Sequence, residues 1–289
     1  MDISNLQTFI AVAESGSFSL ASEQLFLTQP AISKRIAALE AELGTSLFDR
    51  IGRRVSLTEA GQALLPRARS ILLEVEDSRR AISNLSGQIG GKLSIGTSHH
   101  IGLHRLPPVL REFSGRYPEV ELDIHFMDSE EACQAVEHGD LELGVVTLPL
   151  ASSTQLKTKA IWPDPLSIVI GIHHPLSHQR QVSFSELCEH TAILPATGTY
   201  TREVLERALK KEKGQLKVGL STNYLETIKM MVCVGLGWSV LPDSMIDKEM
   251  QSIQISHIRL HRTLGTVWHA GRTLSNAAKG MMAVLNAQI

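Results

Sequence analysis

The rhythm of apolar and polar positions changes twice along the chain. From residue 1 to about 57 the apolar positions recur in short helical blocks. Leu6, Phe9, Ile10 and Ala13 have the i, i+3, i+4, i+7 spacing of one buried helical face. Ser15-Gly16-Ser17 breaks that helix, and Ser19 is placed to cap the next, on which Ala21 and Leu25 lie one turn apart. Thr28 is placed to cap a third helix that has Pro30 in its first turn. On it Ile32, Ile36, Leu39 and Leu43 point one way, while Pro30, Lys34, Ala37 and Ala38 point roughly the other way, and Gly44 ends it. The runs Leu47 to Arg50 and Arg53 to Leu57 bracket a turn at Ile51-Gly52, which predicts a small β-hairpin with basic residues at its tip.

From residue 58 to about 87 the pattern is one long helix. Leu64, Ala68, Ile71, Val75, Ser78, Ile82 and Leu85 alternate at +4 and +3, which is heptad spacing. Such a helix is either part of a globular core or a coiled-coil linker that dimerises the chain. Glu74, Glu76, Asp77, Arg79 and Arg80 crowd around the seam and favour the linker. Pro66 removes one backbone bond and crowds the carbonyl of Gln62, so a kink is expected there. Gln88-Ile89-Gly90-Gly91 reads as a hinge.

After residue 91, strand-like runs alternate with helical ones. Strands are expected near 93–96, 120–126, 143–146, 166–172, 192–194, 217–220 and 238–241, with helices between them. This alternation predicts parallel α/β sheet. At nearly 200 residues, two small lobes fit better than one large sheet.

Composition narrows the function. The apolar and charged fractions are those of a soluble globular protein, and the net charge of -2 gives no global basic excess. A nucleic-acid surface would have to be a local cluster. Cys133, Cys188 and Cys233 are far apart, form no CxxC pair and are odd in number, which argues against a disulfide framework and for a reduced, cytoplasmic compartment. The N-terminus has no signal-like segment, and no apolar run approaches the roughly 18 residues of a membrane span. No GxSxG, GxxxxGK or strand-borne GxGxxG is present, so nothing announces an enzyme.

The third helix is suited to the major groove. Gln29 at its N-terminus offers both a donor and an acceptor to base edges, Ala37 and Ala38 leave room for the groove wall, and Ser33, Lys34 and Arg35 can bond phosphates or bases. Arg50, Arg53 and Arg54 in the hairpin can reach backbone or minor groove. The competing explanation is a solvated polar face with a chance basic cluster.

At these residues the chain resembles a known family. The run Leu6-x-x-Phe9, Gly16-Ser17-Phe18-x-x-Ala21-Ser22, Leu25-x-x-Thr28-Gln29-Pro30-Ala31-Ile32-Ser33-Lys34-Arg35-Ile36-x-x-Leu39-Glu40, Leu43-Gly44-x-x-Leu47-Phe48-x-Arg50 and Leu57-Thr58-x-x-Gly61 resembles the DNA-binding domain of LysR-type transcriptional regulators. The resemblance implies a recognition surface of Thr28, Gln29, Pro30, Ser33, Lys34 and Arg35, with Arg53 or Arg54 as the wing contact. Leu106-Pro107-x-x-Leu110-x-x-Phe113-x-x-x-Tyr117-Pro118, His174-Pro175-Leu176 and Val232-x-x-Gly235-Leu236-Gly237-x-x-x-Leu241-Pro242 extend it along the chain. The implied fold is α/β: a winged helix-turn-helix over 1–57, a linker and hinge over 58–90, and a two-lobed Rossmann-like effector domain, similar to periplasmic solute-binding proteins, over 91–289. Lobe I takes 91–162 and 264–289 and lobe II takes 163–263, with crossovers near 160–163 and 259–265. The implied partners are an interrupted palindrome in promoter DNA, a small effector and a homodimer that builds a homotetramer. RNA polymerase is a candidate further partner, and no cofactor is expected. A solute-binding protein or an enzyme using the two-lobed part is the alternative.

In open α/β sheets ligands sit at the carboxyl ends of strands, against helix N-termini. In the implied cleft this points to Thr97, Ser98, His99 and His100 after the first strand. It also points to Gly198, Thr199, Tyr200, Thr201 and Arg202 before a helix from Glu203, to Asn223 before a helix from Glu226, and to Thr147. Hydroxyls, backbone amides, the two histidines and Arg202 suit a small anion, although helix capping would also account for each hydroxyl. No metal site is expected. The pairs His99-His100 and His173-His174 are sequence neighbours that would face opposite sides of an extended strand, and no third ligand is evident. His174 is read as structural.

Overall fold

The structure is a computed structural model. It describes residues 1–51, 54–212, 214–256 and 258–288, and the side chains of all of these but 50, 51 and 54. The chain forms two compact units, Met1–Ser86 and Gly87–Ile289. No helix among the described residues is long and apolar enough to cross a membrane.

The first unit starts with α1 (Ile3–Ser15), whose N-cap Asp2 accepts from the Ser4 amide and which stops at Gly16 in the left-handed region. Ser17, not Ser19, caps α2 (Phe18–Gln24) by accepting from the Leu20 amide. The break at Gly16 is shorter than the sequence suggested, and Ser19 lies inside the helix. Thr28 is the N-cap of α3 (Gln29–Leu43) by backbone conformation, but its hydroxyl makes no capping bond. Ile32, Ile36 and Leu39 are buried, whereas Leu43, expected on the same face, is exposed because the helix ends there at Gly44. β1 (Phe48–Ile51) and β2 (Arg54–Leu57) form the antiparallel hairpin. Phe48 joins the helices to it, with ring centroids 5.4 Å from Phe9 and 5.9 Å from Phe18.

Two polar and steric details fix this unit. Glu40 reaches forward to accept from the Leu47 amide at 2.7 Å, so the helix side chain aligns the start of the hairpin. Gly61 lies so close to the hairpin that a Cβ there would meet the Leu47 carbonyl oxygen at 2.2 Å. α4 (Glu59–Asn84) is capped by Thr58 and contains Pro66. Leu64 and Ala68 are buried in the unit's core, but Ile82 and Leu85, further along the heptad seam, are exposed to 71% and 85%.

The second unit has two lobes, each with its own hydrophobic packing, joined by long strands. β3 (Gly91–Thr97), α5 (His99–His104), α6 (Leu106–Arg116), β4 (Val120–Phe126), α7 (Ser129–His138) and β5 (Leu143–Thr147) open lobe I, where β3 pairs in parallel with both β4 and β5. β6 (Leu156–Gly171) leaves it for lobe II: α8 (Phe184–Cys188), β7 (Ala192–Leu194), α9 (Tyr200–Leu209), β8 (Val218–Ser221), α10 (Leu225–Cys233), β9 (Ser239–Pro242) and β10 (Met250–Ile253). β11 (Leu260–His269) returns, and α11 (Asn276–Asn286) packs back on lobe I. β6 and β11 run antiparallel from Leu166↔Leu260 to Leu156↔His269, with a register shift between Leu264 and Gly265. Gly265 permits the close approach, since a Cβ would lie 2.1 Å from the Lys159 carbonyl oxygen. Lobe I packs around Leu93, Ile95, Phe113, Val145 and Met281, and lobe II around Ile168, Ile170, Leu205 and Trp238.

Candidate functional site: a DNA-reading helix and an effector cleft

In the first unit α3 carries the outward polar stripe. Thr28, Gln29, Pro30 and Lys34 are exposed and Ser33 is half-buried, so their polar groups are available along one side of the helix. Arg35 lies on the opposite flank, where its Nη1 donates to the Thr8 hydroxyl at 3.4 Å. It braces α3 against α1. The side chains of Arg50 and Arg54, and all of Arg53, lie outside the described residues.

In the second unit a cavity of about 50 Å³ opens between the lobes, at the starts of α5, α7, α9 and α10. Of the expected residues, Ser98, His99, His100, Thr147, Thr199, Thr201 and Asn223 line it. Thr97, Gly198, Tyr200 and Arg202 do not. Thr97 is fully buried at the end of β3 and donates to the Val145 carbonyl at 2.8 Å, so its hydroxyl ties two strands together. Arg202 turns along its own helix to Glu206, Nε to Oε1 at 2.7 Å. Thr199 caps α9, so that helix starts at Tyr200 and not at Glu203, and Arg202 points away from the cavity as a first-turn residue. Gly198 has φ +92°, the left-handed conformation that turns the chain into α9. α10 likewise starts at Leu225, one residue earlier than expected.

The cleft's cation is Arg262 of β11, which the sequence reading missed. Its Nε donates to Asp164 at 2.7 Å and its Nη1 donates to Thr201 Oγ1 at 2.6 Å. Its Nη2 is buried with no hydrogen-bond partner among the described residues. A signal was available. Leu260, Arg262 and Leu264 share the inward phase of a period-two strand, so an arginine stands where an apolar side chain belongs.

Acidic groups that the sequence reading also missed complete the wall. Asp128 accepts from Asn223 Nδ2, whose Oδ1 in turn accepts from the Ala196 amide at 2.9 Å. Glu130 accepts from the Tyr200 amide, and burial raises its pKa above the usual carboxylate range. Ser129 Oγ accepts from the Thr147 amide at 3.0 Å. Asp128 and Glu130 start α7 in lobe I, whereas Asn223 and Tyr200 start helices of lobe II. These bonds therefore hold the lobes together.

The histidines differ from expectation. His99 and His100 lie in the first turn of α5, not on an extended strand. His99 is exposed and stacks on Phe126, with ring centroids 5.3 Å apart. His100 is buried, and desolvation, helped by the Arg262 charge, lowers its pKa to about 4. The relevant helical neighbour of His100 is His104, and Glu226 of α10 meets both. His174 accepts from the Leu176 amide through Nδ1 at 3.2 Å, a capping role in a tight turn.

Two family descriptions match the chain. "Bacterial regulatory helix-turn-helix protein, lysR family" matches residues 3–62, and "LysR substrate binding domain" matches residues 86–289. The chain belongs to the LysR family. Its relatives include an uncharacterized HTH-type transcriptional regulator in the ibpB-leuC intergenic region of Azotobacter vinelandii, 67% identical over 108 residues, or 37% of this chain and 75% of that protein. A probable RuBisCO transcriptional regulator of Trichormus variabilis is 30% identical over 96% of this chain and 85% of its own length. Among solved structures, a full-length OxyR variant from Pseudomonas aeruginosa superposes with a TM-score of 0.71 at 23% identity, covering 100% of this chain and 94% of that one. These relatives are regulators, and this LysR-family chain is a transcription regulator with a DNA-binding domain and an effector-binding domain.

Proposed function

We propose that this regulator reads promoter DNA with residues 1–57, dimerises through 58–90, and senses a small carboxylate or oxyanion in the cleft of 91–289. The two-lobed part acts as a sensor and not as an enzyme, a reading supported by the match to the LysR substrate binding domain and by relatives that are regulators. The working compartment is the cytoplasm, where the promoter is.

The observation that carries the effector reading is the buried Nη2 of Arg262 beside the cleft, which has no hydrogen-bond partner among the described residues. A buried guanidinium nitrogen without an acceptor is costly, and an anionic oxygen supplies the missing partner. The cavity is small, which fits a compact ligand. Asp128 and Glu130, which also line the cavity, suit a hydroxyl or ammonium group on the same ligand. On the DNA side, Gln29 reads base edges, while Ser33 and Lys34 hold phosphates. The Arg50, Arg53 and Arg54 segment supplies the wing. Two such domains on a symmetric dimer read the halves of an interrupted palindrome, and pairing of dimers gives the tetramer. RNA polymerase is the natural recipient of any change in how the dimers sit on DNA.

The test is a thermal-shift panel of small hydroxy-carboxylates, amino acids and inorganic oxyanions against neutral sugars and aromatics. An anion at 100 times its Kd should stabilise the fold by about 2.7 kcal/mol. Arg262→Lys keeps the charge beside Asp164 but removes the planar fork, and should reduce the shift. Stabilisation by neutral or aromatic compounds alone would overturn the effector class. In a gel shift at fixed salt, Gln29→Ala should weaken binding at a preferred site by about 1–3 kcal/mol.

A further inference from the structure

His100 and His104 are four residues apart on α5, so their rings lie on one helical face, with centroids 4.8 Å apart. Glu226, in the first turn of α10, reaches them from the other lobe. Its Oε1 lies 3.0 Å from His104 Nε2 and 3.5 Å from His100 Nδ1. One ligand atom from each of the three residues falls within 4.8 Å of the others. Metal–ligand bonds of about 2.1 Å at a tetrahedral centre put donor atoms about 3.4 Å apart. Glu226 already stands near that spacing from both imidazoles, and His104 and Glu226 are partly exposed side chains that can adjust.

A second observation points the same way. His100 is 4% exposed, yet its Nδ1 comes no closer than 3.5 Å to Glu226 and its Nε2 makes no hydrogen bond among the described residues. Leaving such a group unsatisfied costs about 1–3 kcal/mol. An imidazole nitrogen with an unused lone pair is a ready metal donor. The charged groups facing it are Arg262 and Asp164, which pair with each other, and Glu226, which keeps an acceptor for a cation.

We infer that His100, His104 and Glu226 form a site for a divalent transition-metal ion of the zinc type, bridging lobe I and lobe II at the mouth of the cleft. Two imidazoles and a carboxylate are a donor set such ions accept, with a fourth position left for water or a ligand atom. Because the donors come from both lobes, the ion favours the closed arrangement and shifts the population towards it. The site does not depend on which anion the cleft takes.

The test uses the full chain, stripped with a chelator, exchanged into buffer free of the effector panel, and titrated with Co(II) and Zn(II). Co(II) should develop the visible bands of a tetrahedral site and saturate at one ion per chain, and Zn(II) should displace it. His104→Ala and Glu226→Gln, both at partly exposed positions and checked for folding by circular dichroism, should each weaken binding on the order of 100-fold or more. His99→Ala, which removes the adjacent exposed imidazole, should leave it unchanged. Failure of the unaltered chain to bind either ion overturns the inference. So does binding that survives both substitutions, or binding that His99→Ala abolishes.

Discussion

Asp164 and Arg262 face each other in register across the two long strands that join the lobes, Oδ2 to Nε at 2.7 Å, with both side chains buried. Arg105 approaches the other carboxylate oxygen at 3.4 Å. The pair sits where β6 and β11 pass between the two lobes, and Arg262 is the Lys or Arg side chain that lines the cavity among the described residues.

Asp164→Asn should therefore destabilise the second unit strongly. It strands the Arg262 charge in a buried place, a change that costs about 3–5 kcal/mol when one partner of a buried pair is removed. Urea unfolding followed by tryptophan fluorescence checks this, since Trp162, Trp238 and Trp268 all lie in the second unit. A loss below about 1 kcal/mol would mean that the guanidinium finds water once the carboxylate is gone.

The helix-turn-helix was legible because its signals are local. The apolar face of α3, the stop at Gly44 and the Thr58-x-x-Gly61 turn are each carried by a short stretch of chain, and burial, capping and close approach explain each of them. The cleft was legible only as a set of helix starts. Thr97 and Arg202 were misplaced because sequence cannot show which partner a hydroxyl or guanidinium takes, and here each bonds within its own sheet or helix. Arg262, Glu130 and Glu226 come together from distant segments, and no short motif marks their meeting. The His100–His104 spacing was in the sequence. An HxxxH pair counts as a metal motif only with a third ligand, and that ligand, Glu226, lies more than a hundred residues away, where no short motif can show it.

A second prediction concerns assembly. Ile82 and Leu85 continue the heptad of α4 but are exposed within one chain, so burial in a partner would stabilise a dimer by about 1.5–3 kcal/mol for each side chain fully buried. Replacing both with lysine should leave each unit folded and should shift sedimentation from dimer or tetramer towards monomer. Specific DNA binding should fall with it. An unchanged oligomer would place the main contact elsewhere.

A third concerns the turn before the recognition helix. Phe26 has φ +53° and is 95% exposed, while the Leu27 amide bonds back to the Ser22 carbonyl. This is the left-handed position after a helix, where glycine or asparagine is usual and a bulky residue is strained. Phe26→Gly should stabilise the first unit by about 1 kcal/mol, raising its Tm by roughly 5 °C. A drop in Tm would show that the exposed ring contributes packing that offsets its backbone strain.

The last prediction concerns the thiols. Cys133 is buried on α7 behind the cleft, and burial pushes its thiol up to about 11, with the Tyr200 hydroxyl only partly opposing this. Burial also raises Cys188 and Cys233. The thiolate is the reactive form, so Cys133 should resist alkylation of the folded chain at pH 8 and react readily once urea unfolds it. The stability consequence has a definite sign. The folded chain holds the Cys133 proton more tightly than the unfolded one, whose thiol ionises near 9. Its contribution is therefore fully present below pH 9 and is lost as pH rises from 9 towards 11. Cys133→Ser should flatten that part of the stability profile while leaving the neutral range parallel to the unaltered chain. Rapid labelling of Cys133 at pH 8 under native conditions would show that the cleft opens far enough to expose α7, and that the lobe-to-lobe bonds of Asp128 and Glu130 do not hold in solution.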